Sequence, residues 1–262
     1  MTRFGVFTLV CGLLAAGARA DEWHKSYAVG GAAELIVETG DGDIALRPGA
    51  AGGIRARVLT KGYSLEEGNP RIVERQTGNR VTIELKFPHR AFDFSFGQRW
   101  VHVEIEVPPD LSAELRTGDG NITARDVSGN LRFITGDGRI EAEDCSGAIF
   151  GHTGDGRVRA SGKFNRVALE TGDGSIELEV DEGSDIVEPW RIETGDGSVK
   201  VRVPEKLGFD FDLKAGDGSI NVNLPRVSAL RRTEHQVRGA AGGGGGRLHI
   251  QTGDGSISLA RR

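Results

Sequence analysis

Eight aspartates stand in one repeated context, and carboxylates are raw material for acid–base hydrolysis or for calcium binding. They are Asp41, Asp119, Asp137, Asp155, Asp173, Asp196, Asp217 and Asp254; seven follow Thr-Gly, Asp217 follows Ala-Gly, and a glycine comes after each. From Asp119 to Asp173 the spacing is a constant 18 residues. A fixed period of this kind marks stacked structural units. In-register stacking places equivalent strands about 4.8 Å apart, so the carboxylates form a ladder whose mutual repulsion needs water, turn amides or cations to offset it. Calcium prefers several oxygen ligands, and the metal candidates are Asp119, Asp137, Asp155, Asp173 and Asp196. One acid per 18 residues nevertheless matches neither the calcium-binding nonapeptide repeat nor the EF-hand spacing. The expectation is therefore turn-forming aspartates and no cofactor.

Hydrolysis needs an acid and a base in unlike surroundings, whereas Asp137, Asp155 and Asp173 are interchangeable by repeat position. His152 stands in an odd unit and reads as an outward polar residue. His24, His89, His102, His235 and His249 have no metal-ligand spacing, and the chain has no Gly-x-Ser-x-Gly elbow. No catalytic residues are assigned and a non-enzyme is expected, with a polysaccharide-processing β-helix enzyme as a lesser alternative.

The elements that must carry the aspartates are strands. Apolar residues alternate on both sides of each turn, as in Leu131/Phe133 before and Ile140/Ala142 after Asp137, with Arg, Glu, Ser or Thr between them. The odd unit has Ile149 and Gly151 at the inward sites, a space for a neighbour's side chain to fill. The turn glycines are Gly118, Gly120, Gly136, Gly138, Gly154, Gly156, Gly172, Gly174, Gly195, Gly197, Gly216, Gly218, Gly253 and Gly255. They are expected to supply positive φ, and each aspartate to bond amides of its own turn. The fold class is all-β. A β-solenoid, or β-helix-like stack, is favoured over a meander of hairpins because identical units bury their faces against one another.

The regular array spans residues 110–262, with a glycine-rich loop near 239–246. An irregular β region, 21–109, precedes it and ends at Pro108-Pro109. Within that region Thr77-Gly78-Asn79-Arg80 reads as a degenerate turn, and Phe92, Phe94, Phe96 and Trp100 as a packed strand or cap, or as a binding strip.

Residues 1–20 read as a secretory signal: Arg3, an apolar run from Phe4 to Ala16, and Ala18-Arg19-Ala20 before the cleavage site. No transmembrane span is expected after cleavage. Cys145 is then the one remaining cysteine and sits at the repeat position of Val127, as buried filler. The formal net charge of −5, with no basic stripe, argues against nucleic acid as a partner.

The secretory start, the strand array and Thr171-Gly172-Asp173-Gly174-Ser175-Ile176, Thr194-Gly195-Asp196-Gly197-Ser198-Val199 and Thr252-Gly253-Asp254-Gly255-Ser256-Ile257 resemble the bacterial adhesin-like family of Gly-rich β-strand repeats, a domain of unknown function (DUF4097-like). The likeness covers most of residues 30–260. It implies a surface or envelope role and carries no catalytic residues. The repeats are not followed by a Leu-Pro-x-Thr-Gly-type sorting signal, which favours the periplasm over surface display. The expected function is an exported noncatalytic repeat protein, an adhesin-like module or envelope scaffold whose partner is an envelope protein or a glycan. A calcium-organised surface repeat is the alternative.

Overall fold

The computed structural model describes residues 20–88 and 99–262. The first seven strands are β1 (Ala20–Ala28), β2 (Ala33–Glu38), β3 (Asp43–Pro48), β4 (Gly53–Lys61), β5 (Arg71–Thr77), β6 (Arg80–Lys86) and β7 (Trp100–Val107). The middle of the chain supplies β8 (Asp110–Arg116), β9 (Ile122–Arg125), β10 (Ser128–Ile134), β11 (Ile140–Thr153), β12 (Val158–Thr171), β13 (Ile176–Val180), β14 (Trp190–Thr194) and β15 (Val199–Val203). The last six are β16 (Phe209–Ala215), β17 (Ile220–Asn223), β18 (Ser228–Arg232), β19 (Gln236–Ala241), β20 (Gly246–Thr252) and β21 (Ile257–Arg261).

The strands on either side of a Thr-Gly-Asp-Gly turn do not pair with each other. Each pairs in parallel with its counterpart one coil away: Leu131 of β10 faces Ala113 of β8 and Ile149 of β11, and Ile140 of β11 faces Ile122 of β9 and Val158 of β12. The turn is thus the corner of a solenoid and not a hairpin. The coils form two columns. Column A runs β5, β6, β2, β8, β10, β11, β12, β14, β20, β16, β19, β18. Column B runs β1, β4, β7, β3, β9, β11, β12, β13, β15, β21, β17. The long strands β11 and β12 belong to both columns, turning at bulges after Ala142 and Gly147.

Alternate residues of both columns point inward and merge into one apolar core. The paired inward positions read from the sequence are buried, except that Val222 is only partly covered. The space left by Gly151 is occupied by Leu169, whose Cδ2 would lie 3.1 Å from an added Cβ.

Two departures from the sequence reading concern order. Chain order is not stacking order at the C-terminal end: β20 and β21 are inserted between β14/β15 and β16/β17. The long spacing before Asp254 is thereby explained, because the chain leaves the stack through the antiparallel strands β18 and β19 and then returns into it. Thr77 and Arg80 close an antiparallel hairpin between β5 and β6, with Gly78 at φ 58°, so that segment is not a corner of the stack. The ends of both columns therefore carry antiparallel or short strands in place of long open parallel edges, a recognised way to limit edge-to-edge association.

Candidate functional site

The repeated corner is the first place to look for chemistry. Thr135 is buried, and its hydroxyl donates to the carbonyls of Gly118 (3.0 Å) and Gly120 (2.8 Å) of the preceding coil. Thr117, Thr153, Thr171, Thr194 and Thr252 repeat that bond to Gly42, Gly138, Gly156, Gly174 and Gly197 at 2.8–3.0 Å. The amide of Gly136 donates to the Gly118 carbonyl in the same ladder. Threonine is thus an axial staple, a role that period-two patterning does not signal.

The glycines are required by proximity. A Cβ on Gly138 would lie 1.9 Å from the Gly120 carbonyl oxygen, and one on Gly136 would lie 2.7 Å from that of Gly118. None of the turn glycines, from Gly118 to Gly255, has φ in the left-handed region, which corrects the expectation of positive φ. Left-handed residues sit instead at the opposite corner of the coil, at Asp126 (φ 53°), Asp144 (φ 52°) and Gly129 (φ 123°). Consecutive backbones approach so closely at the Thr-Gly-Asp-Gly corner that only glycine fits, whatever its φ.

The eight corner aspartates are exposed, in the stacking order Asp41, Asp119, Asp137, Asp155, Asp173, Asp196, Asp254, Asp217. Among the described residues no hydrogen bond reaches their carboxylates, a second correction to the turn chemistry expected. Asp137 instead leans over the next coil, where its Oδ1 lies 2.8 Å from the site of an added Cβ on Gly154. Among the described residues no group of three or more His, Cys, Asp or Glu side chains is placed to hold one metal ion. Asp119, Asp137, Asp155, Asp173 and Asp196 stand in single file, one per coil.

Of the expected aromatic patch, Phe92, Phe94 and Phe96 lie outside the described residues, as does His89. Trp100 opens β7 and is 41% exposed. Cys145 is buried in the apolar core, where burial raises its thiol pKa to about 11 and the thiol faces the carbonyls of Ala124 and Glu143.

The outer faces of both columns carry acid–base pairs, and that of column A also carries a groove. On column B acids and bases are cross-paired: Arg57 with Glu22 (2.8 Å) and Glu104 (3.5 Å), Arg125 with Glu143 (2.9 Å), and Glu177 with Arg159 (2.8 Å) and Lys200 (3.3 Å). These contacts, Arg159 foremost, hold the Glu177 carboxyl below its usual range against the opposing effect of burial. On column A a shallow groove of about 400 Å³ crosses β2, β8, β10, β11 and β12. Along its floor Ile36, Glu114, Arg132, Phe150 and Ala168 are successive cross-strand neighbours. The guanidinium of Arg132 lies over the Phe150 ring, 3.7 Å from its centre. Glu188 and Pro189, from the segment between β13 and β14, form part of the lining, and Glu188 pairs with Arg166 at 2.9 Å. The sequence reading missed this groove because Phe150 and Arg132 become neighbours only through the register of β10 on β11.

Among solved structures, a candidate cell adhesion protein of Clostridium sporogenes aligns over 93% of this chain and 100% of its own, at 14% identity and a TM-score of 0.47. A candidate lipid-binding protein of Parabacteroides distasonis aligns over 92% and 98%, at 12% identity and a TM-score of 0.42. A candidate adhesin of Bacteroides fragilis aligns over 91% and 97%, at 10% identity and a TM-score of 0.37. No curated protein matches the sequence. The family model described as Toastrack DUF4097 matches residues 32–260, spanning every corner of the stack, and the chain belongs to that family.

Proposed function

We propose that the chain is an exported, noncatalytic, adhesin-like module of the cell envelope that holds its partner on the outer face of column A. The groove across β2 to β12 carries this reading. It sets an aromatic ring and small side chains among polar ones on a rigid sheet, the usual composition of a recognition site. The sheet backbone beneath it is already paired on both sides, so recognition there runs through side chains. The secretory pattern of residues 1–20 supports export, with the periplasm as the expected compartment. Among the described residues no helix is long and apolar enough to cross a membrane. The enzyme reading gains nothing from the groove, where Glu34, Glu114 and Glu188 are each paired with an arginine. A fold alone does not assign a function, so the test addresses the face itself. The chain is incubated with isolated envelope fragments beside a Phe150→Glu/Ala168→Glu variant. Loss of adsorption with an unchanged melting temperature is the expected result. Equal adsorption by the variant places the binding surface elsewhere and overturns the reading.

A further inference from the structure

We propose that the column A groove takes an acidic polysaccharide and that Arg132 is the residue that reads its carboxylates. This rests on column A being the partner-binding face and names the chemistry of the partner.

Three observations carry it. The first is charge. Around the groove Glu34 pairs with Arg80, Glu114 with Arg116, and Arg166 with Glu188. Among the described residues Arg132 has no carboxylate within ion-pairing distance, and its guanidinium rests on the face of Phe150. Stacking on a ring leaves the in-plane N–H donors of a guanidinium unused, and that planar fork matches a carboxylate in two parallel hydrogen bonds. The floor therefore presents a half-buried cation with no ion-pair partner among the described residues, on a chain whose net charge of −5 gives polyanions no general attraction.

The second is the character of the floor. Phe150, Ala148 and Ala168 supply apolar surface, while Ser112 and Asn130 supply neutral hydrogen-bonding groups beside it. A sugar ring has the matching pair of surfaces, C–H groups on its faces and hydroxyls around its rim. A peptide strand would gain little here, because β10 and β11 are interior strands with no free backbone edge to extend.

The third is shape. The groove runs across five strands, about 19 Å at the normal strand spacing, and its floor is open to solvent. That form suits a polymer lying along the stack better than a single small molecule.

The test is calorimetry of the full chain with polygalacturonate, with its fully methyl-esterified form, which keeps the sugar backbone and removes the charge, and with poly-glutamate. The expected result is saturable binding of polygalacturonate alone, weakened roughly tenfold or more in Arg132→Gln with an unchanged melting temperature. Arg132→Lys, which keeps the charge but not the fork, recovers only part of the loss. Equal binding of the acid and ester forms, sensitive to Phe150→Ser but not to Arg132→Gln, overturns the carboxylate reading and leaves the binding face in place. Binding of poly-glutamate as tight as that of polygalacturonate makes the occupant an acidic peptide and overturns the saccharide. Absence of binding to all three overturns the acidic polysaccharide, and undiminished envelope adsorption by the Phe150→Glu/Ala168→Glu variant overturns the binding face as well.

Discussion

The hydroxyl of Thr135 lies 2.8 Å from the carbonyl oxygen of Gly120, one coil earlier in the stack. The same bond recurs at each later corner except the outermost, where Ala215 replaces threonine. It converts a strip of backbone carbonyls, which are costly to bury unpaired, into a second ladder beside the sheet.

Thr135→Val keeps the shape of the side chain and removes the donor. It is expected to lower stability by about 1 kcal/mol. Thr39 stands at the first Thr-Gly-Asp-Gly corner of the stack, and its buried hydroxyl has no partner among the described residues. Thr39→Val is therefore expected to be neutral within about 0.5 kcal/mol, or mildly stabilising. Chemical denaturation of both variants checks the contrast; equal losses would refute the staple.

Gly138→Ala asks whether proximity or φ dictates the corner. The added methyl meets the Gly120 carbonyl at 1.9 Å, so neighbouring coils must separate, at a cost of about 3 kcal/mol or more. Gly30 also lies outside the left-handed region, and a Cβ there meets nothing within 4 Å. Gly30→Ala is expected to change stability by less than about 0.5 kcal/mol. Thermal melts of the two variants decide the matter, and a tolerated Gly138→Ala contradicts the close approach.

Asp137 is exposed, accepts no hydrogen bond among the described residues and stands between Asp119 and Asp155 in the file of carboxylates. Asp137→Asn is expected to alter stability by no more than about 0.5 kcal/mol, with any gain seen at low ionic strength where like-charge repulsion is least screened. Millimolar calcium is expected to leave the melting temperature unchanged in wild type and variant alike. A calcium-dependent rise lost in Asp137→Asn would instead make the ladder a cation site.

Much of this was legible in the chain itself. Leu131/Phe133 and Ile140/Ala142 announce strands with one buried face because their alternation is local, and the 18-residue period announces stacking. The insertion of β20 and β21 was not legible: Leu248 pairs with Trp190 on one side and Phe211 on the other, and any of the similar repeats offers an apolar face of the same period. The reason for glycine at position 138 also depends on a contact with Gly120, 18 residues away, which turn chemistry alone does not encode. The groove was hidden for the same reason, since Arg132 and Phe150 look like ordinary outward residues of separate strands.

Glu74 latches the N-terminal end of the stack and gives it a pH dependence. It lies on β5, the end strand of column A, and accepts hydrogen bonds from Lys25 and Tyr27 on β1, the end strand of column B. Burial pushes its carboxyl pKa up, but the bonds from Lys25 and Tyr27 outweigh burial and leave it below the ordinary value of 4.5. At the other end Asp212 on β16 is likewise held below its ordinary 3.8, burial being outweighed by Arg238 and Gln236 of β19. A depressed folded pKa means that the unfolded chain binds protons first. The stabilisation is then fully present above the unfolded value and is lost as the pH falls through the folded one. Glu74→Gln is expected to be less stable than wild type at pH 7, with the difference shrinking once the pH drops below about 4.5. Hydrogen exchange should show β1 and β5 opening in acid before the central coils, because a latch that lets go frees the end strands while the inner ladders stay paired. Stability curves for wild type and Glu74→Gln that stay parallel from neutral to acid pH would show that Glu74 is no latch.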